Sequence, residues 1–211
     1  MIRSIFRRSF VGVLAIFVAS SAVAEEVMEE IIVTAQKREQ SVMDVPMAIT
    51  AVTAEELENM GATSIQEIQS TIPGFAVAKL GGGETFRLRG ISPPGSNLPT
   101  VGRYVDEMSI NTDYVGFGAD FPLIDVSQVE VLKGPQGTLY GQGSIGGTVI
   151  YKTMSPTLDG EIDGTFEISG RNVTDGNSGY RVALAGDVIS TENFGLRLMV
   201  FQEEGPGWVD S

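Results

Sequence analysis

Residues 141–150 read GQGSIGGTVI, and the first six satisfy the G-x-G-x-x-G pattern with which a strand-to-helix turn cradles a dinucleotide pyrophosphate. The pattern works only where a strand runs into it and a helix opens on it, because the helix N-terminus receives the phosphates. A strand does precede it, Val129–Leu132, but KGPQGTLY intervenes. The next segment, GTVIYKT at 147–153, is β-branched and alternating, a strand rather than a helix. Gly147 also stands where a P-loop needs its lysine. The stretch is therefore read as a tight connection between two strands. In it Gly134, Gly137, Gly141, Gly143, Gly146 and Gly147 supply positive φ angles or let a neighbouring wall approach closely.

Composition narrows the chemistry further. The chain has 211 residues with no Cys and no His, which excludes nucleophilic catalysis through thiolate or imidazole and zinc held by those ligands. A formal net charge of −13 disfavours a nucleic-acid partner, whose phosphates demand clustered Lys and Arg. Scattered carboxylates form no catalytic motif; Asp106 and Glu107 are adjacent and, read within one strand, point to opposite faces. The expectation is a protein that is not an enzyme and that takes no cofactor or metal.

At the N-terminus, Arg3, Arg7 and Arg8 precede the uncharged apolar run FVGVLAIFVASS, and Ala22-Val23-Ala24 offers a small-x-small cleavage pattern. Residues 1–24 read as a secretory signal peptide, the run being too short for a span of ~20 residues. Residues 25–44 form a charged tether around the β-favouring Ile31-Ile32-Val33-Thr34, with no apolar partner nearby. Two readings stay open for it: a strand offered to another protein's sheet edge, or the first strand of the adjoining domain.

Residues 45–154 read as a mixed α/β unit. Thr53 with Glu56, and Ser64 with Glu67, make capping boxes for two short helices, the first stopped by Gly61. PMAITAV, FAVAKL, ETFRLRG, VGRYVDEMSI, VEVL and GTVIYKT read as strands. From 155 to 211 the pattern becomes strictly period two, in Ile162–Ile168, Tyr180–Val188 and Phe194–Val200. A long polar link, RNVTDGNSG, and a tight one, STEN, match the loop and turn asymmetry of outer-membrane barrels, although a half-buried soluble sheet alternates in the same way.

EEIIVTAQKREQ after a signal peptide resembles a TonB box. DVPMAIT, LENMGATSIQEIQSTIPGF, FRLRGIS, RYVDEMSI and VEVLKGPQGTLYGQGSIGGTVIYKT resemble, in order, the plug domain of TonB-dependent outer-membrane receptors. The fold implied is an α+β plug with a mixed sheet and short helices, followed by the first antiparallel strands of a barrel of roughly 22 strands. The resemblance implies an exported outer-membrane protein that imports a scarce ligand such as a ferric siderophore. Its partners would be outer-membrane lipid and TonB, the latter pairing with Glu30, Ile31, Ile32, Val33, Thr34 and Ala35. Basic residues matching Arg89 and Lys133 would hold the plug against acidic residues of the wall. The loops 92–99 and 111–120 are candidates to face the ligand through Ser96, Asn97, Tyr114 and Phe117; the two aromatics could equally pack on the barrel interior. Three strands cannot close a barrel, so the chain is expected to be the N-terminal portion of a larger receptor. The alternative is a soluble periplasmic plug that binds TonB without transporting.

Overall fold

The computed structural model describes residues 30–80, 83–93, 98–111, 121–173 and 178–205. In chain order the elements are β1 (Ile32–Val33), β2 (Gln40–Ser41), β3 (Ala48–Thr53), α1 (Ala54–Met60), α2 (Ile65–Ile68), β4 (Phe75–Leu80), β5 (Gly83–Leu88), β6 (Val101–Val105) and β7 (Met108–Ser109). They continue with β8 (Val126–Lys133), α3 (Gly137–Tyr140), β9 (Gly147–Thr153), β10 (Gly164–Asn172), β11 (Ser178–Thr191) and β12 (Phe194–Glu204). Residues Ile31–Ser211 make one compact unit.

The glycine-rich stretch links β8 to β9, which pair antiparallel from Val129↔Tyr151 to Lys133↔Gly147. They are two of the three inner strands of a five-stranded sheet ordered β3-β8-β9-β6-β7, with β6 and β9 parallel and the other neighbours antiparallel. At Gly147, φ is +148°, and an added Cβ would lie inside van der Waals contact with the Leu132 carbonyl oxygen and a Leu88 methyl. Only glycine fits there, for packing rather than for a phosphate.

Both helix starts read from the sequence carry their caps. Thr53 Oγ1 accepts the Glu56 N–H at 3.3 Å and the Glu56 carboxylate accepts the Thr53 N–H at 2.9 Å, with Gly61 left-handed at φ 59°. Glu67 likewise accepts the N–H groups of Thr63 and Ser64. The turn α3, four residues long, carries no periodic signal and is not expected from the pattern. VGRYVDEMSI is not one strand: Asp106 turns left-handed at φ 50° and the chain doubles back as β6 and β7. Asp106 and Glu107 therefore occupy a turn, and Asp106 accepts hydrogen bonds from Thr153 instead of standing on a strand face.

Two apolar clusters fill the domain. One joins Ile65, Ile68, Leu88, Val129, Val131 and Tyr151 between the helices and the sheet; the other joins Val33, Ala35, Val45, Leu132, Tyr140 and Ile150 on the opposite side. Both draw only on residues between 31 and 151.

Strands β10–β12 form a separate antiparallel sheet. The facing positions Phe166, Leu184 and Val200 are 65%, 55% and 63% exposed, whereas Ala183, Ala185, Arg181 and Asp187 are buried. A soluble half-buried sheet would turn its apolar side inward; here the apolar side faces out, as a lipid-contacting wall does.

Candidate functional site

Of the segment expected to be a tether, residues 31–44 lie folded on the plug. β1 pairs only with β2, and Val33 and Ala35 are 0% and 1% exposed in the second cluster. The apolar partners missing from the local sequence come from Leu132, Tyr140 and Ile150, about a hundred residues on. Val42 N–H donates to Ile31 C=O at 2.9 Å, so Ile32, opposite Ser41, is a non-hydrogen-bonded pair whose own backbone groups face away from β2.

Plug side chains occupy that outward edge. Gln128 Nε2 donates to the Ile32 carbonyl at 3.0 Å, the Glu130 carboxylate accepts the Thr34 N–H at 2.8 Å and its hydroxyl at 3.1 Å, and the Tyr140 hydroxyl donates to the Ala35 carbonyl at 3.0 Å. Glu130 is fully buried, and burial pushes its carboxyl above the usual range although the Thr34 and Gln128 hydrogen bonds pull it down. Burial, and then the nearby Glu130 charge, raise Tyr140, which keeps its phenolic proton and remains a donor. Lys37 lies 5.8 Å over the Tyr140 ring and pairs with Glu107 at 3.3 Å. Sequence reading finds the clasped strand but not its clasp. The available signal is Glu130 itself, a lone carboxylate between Val129 and Val131 in a strand apolar on both sides.

Arg89 and Lys133 are brought together: burial and the Arg89 charge hold the Lys133 ammonium below its usual range. Among the described residues neither forms an ion pair. Arg89 itself sits in a left-handed turn at φ 51° and is exposed.

Wall strands contact the plug with the opposite polarity. Arg171 of β10 meets Glu67 at 2.7 Å; burial raises the Glu67 carboxyl, but hydrogen bonds from Thr63 and Arg171 outweigh it and bring it below its usual range. Arg181 of β11 donates to the Thr63 carbonyl at 3.3 Å, and Arg197 of β12 donates to Asp125 at 2.8 Å. Arg181 and Arg197 are buried against the plug on the covered face of otherwise lipid-facing strands, whereas Arg171 is more than half exposed.

Ser96, Asn97, Tyr114 and Phe117 lie outside the described residues, as does the segment read as a signal peptide. The flanks of their two loops are described, and they converge on the glycine-rich stretch. A Cβ on Gly143 would meet Pro99 at 3.0 Å and Asn111 at 3.8 Å, and Gly146 N–H donates to the Thr100 carbonyl at 2.8 Å. Gly143 and Gly146 thus form a floor against which Pro99, Thr100 and Asn111 lie.

The family described as TonB-dependent Receptor Plug Domain matches residues 41–148. The chain is 32% identical over 187 residues to the hemin receptor of Yersinia enterocolitica, covering 84% of this chain and 24% of that protein. It is 34% identical over 139 residues to the vitamin B12 transporter of Vibrio vulnificus, covering 62% and 22%. Among solved structures, the ferric yersiniabactin uptake receptor of Yersinia pestis superimposes with a TM-score of 0.54 at 29% identity, covering 67% of this chain and 21% of that one. The ferripyoverdine receptor of the outer membrane of Pseudomonas aeruginosa gives a TM-score of 0.63 at 25% identity, covering 82% and 22%. The chain thus spans about a quarter of the length of these relatives, a portion that carries the plug and the first wall strands. With plug, wall and glycine-rich floor in the order and register described, the chain belongs to the TonB-dependent receptors of the outer membrane.

Proposed function

We propose that this chain is the N-terminal portion of a receptor that imports a ferric siderophore across the outer membrane, with energy delivered by TonB through Glu30–Ala35. The observation that carries the coupling half is the outward edge of β1, where the Ile32 carbonyl and the Thr34 N–H are held by side chains, not by a neighbouring strand. A competing strand replaces side-chain partners more readily than it displaces a full ladder. The ligand half rests on the relatives, which include receptors for iron carriers, and on the described loop flanks Pro99 and Asn111, which meet at Gly143. In this reading Ser96, Asn97, Tyr114 and Phe117 face the ligand. Arg89 and Lys133, two cations side by side with no described ion-pair partner, answer acidic groups elsewhere on the wall.

The test is Ile32→Pro against Ile32→Val in the complete receptor. Proline removes a donor that the β1–β2 pair does not use but an added strand needs, so folding of the plug is spared. Ile32→Pro is expected to abolish energised uptake of a ferric siderophore while surface binding persists, with Ile32→Val like the parent. Uptake by the proline variant equal to the parent's at equal outer-membrane abundance overturns the coupling assignment.

A further inference from the structure

Hydrogen bonds and ion pairs link plug and wall. Neither apolar cluster takes a residue from β10–β12, and a cavity of about 580 Å³ separates α1 from the wall, bordered by Leu57, Thr63, Ala183 and Arg197. Among the polar contacts, one is buried on both sides. Arg197 and Asp125 side chains are 7% and 8% exposed, whereas Arg171 and Glu67 are 58% and 34% exposed. Exposed pairs are worth little; a buried bidentate pair resists separation because Asp125 drawn away from Arg197 would be an uncompensated charge and Arg197 would lose the larger share of its hydrogen bonds.

The geometry is that of a fork. Arg197 Nε donates to both Asp125 oxygens at 3.0 and 2.9 Å and Nη2 to one of them at 2.8 Å, while Nη1 reaches Asp187 at 3.1 Å. Asp187, fully buried, also accepts the Thr157 N–H at 3.2 Å and hydroxyl at 2.8 Å. Asp163, 3.9 Å from Nη1, is mostly exposed. On the plug side Asp125 immediately precedes β8, holds a left-handed φ of 56°, and accepts the Met154 N–H on its carbonyl at 2.9 Å. One residue thus touches the start of β8, the point where the chain leaves β9 for the wall, and the wall itself.

We propose that Asp125, Arg197 and Asp187 form an ion-pair pin that fastens the foot of the plug to the wall, separate from the seat assigned to Arg89 and Lys133 and opposite to it in polarity. Because it ties down the beginning of β8, segments that precede β8 in the chain can move while this strand stays. The inference rests on the reading of the chain as a plug inside a barrel.

The test uses the complete receptor in outer membranes, with Asp125→Asn, Arg197→Gln and the double variant. Asparagine suits the left-handed backbone at 125 and keeps the side chain's size while removing the charge and one of the two acceptor oxygens. The readouts are limited trypsin cleavage of the plug, susceptibility of intact cells to a large hydrophilic antibiotic, and the heat-modifiable barrel band. Asp125→Asn is expected to speed plug cleavage on the order of tenfold and to raise susceptibility, with the barrel band unchanged and the double variant no worse than either single. Parent-like cleavage and susceptibility in Asp125→Asn, additive effects in the double, or loss of the barrel band in Asp125→Asn would overturn the pin. If Arg197→Gln fails to assemble, Asp125→Asn alone decides, because it lies on the plug. None of the readouts uses ligand or TonB, so a parent that transports nothing would sink the proposed function and leave the pin untouched.

Discussion

Replacing Gly147 with alanine tests the reading of the glycine-rich stretch most directly. Two costs add at this position. The backbone stands at φ +148°, a conformation side chains rarely take, at about 1–3 kcal/mol. The new methyl must also displace the Leu132 carbonyl, which belongs to the β8–β9 ladder, or the buried Leu88 side chain, an overpacking of about 1–3 kcal/mol. The sum, roughly 2–6 kcal/mol, is a large share of the roughly 5–15 kcal/mol that holds a domain folded. The assay is urea unfolding of segment 31–154 followed by far-ultraviolet circular dichroism, since both apolar clusters lie inside that segment. With a slope of ~1.5 kcal/mol/M the midpoint should fall by roughly 1.3–4 M, or the variant should fail to fold. Gly137→Ala, at a helix start with nothing within 4 Å of the added methyl, is the control and should match or slightly exceed the parent. A Gly147→Ala midpoint equal to the parent's, or an equal loss in Gly137→Ala, would refute the packing argument.

Glu130→Gln addresses the clasp through pH. The folded-state carboxyl titrates above its ordinary 4.5, so its stabilising contribution is complete below that value and is lost as pH rises through the elevated value. The same segment should therefore gain stability over its Gln variant as pH is lowered from about 8 toward 4.5; a parent-to-variant difference that is flat with pH, or that grows toward alkaline pH, contradicts the buried-charge assignment. Glu67, held low, should show the reverse slope in Glu67→Gln, and is best followed in a chain that keeps Arg171. On the wall, Leu184→Arg places a charge in the lipid-facing row between Phe166 and Val200, at a cost of about 2–4 kcal/mol near the bilayer midplane. The heat-modifiable band should weaken in Leu184→Arg and not in Leu184→Val, and equal bands would mean this face does not meet lipid.

Local features were legible and distant ones were not. The caps at Thr53 and Ser64 are written within four residues of the helices they start, and the wall strands announce themselves by alternation. The clasp joins Thr34 to Glu130 across 96 positions and the pin joins Asp125 to Arg197 across 72, separations at which no window carries a signal. What the sequence offered instead was a charge out of place: Glu130 inside an apolar strand, Arg197 between Leu196 and Leu198. The turn at Asp106 hid because it uses no glycine, only an aspartate that tolerates a left-handed backbone. The β1 segment looks partnerless in the sequence because its partners arrive from β8, α3 and β9.

The directions of β1, β2, β3 and β8 also fix how the N-terminal segment answers a pull. The hairpin of β1 and β2 would be gripped at its open end, where Ile31 lies beside Val42, so its bonds would separate in succession. β3 is different. It would be drawn from its Ala48 end, beside Lys133, whereas β8 is anchored beyond Gln128 at its other end, so the six register pairs from Ala48 to Thr53 would slide against one another and resist together. Unzipping demands far less force than shearing. The first mechanical event would then be the release of the clasp from Gln128 and Glu130 with the payout of residues 31–42, a contour of roughly 40 Å, before the β3–β8 ladder was loaded. Under the proposed coupling the hairpin would be a length of stored slack, which would set how far a pulling partner travels before the plug itself begins to yield.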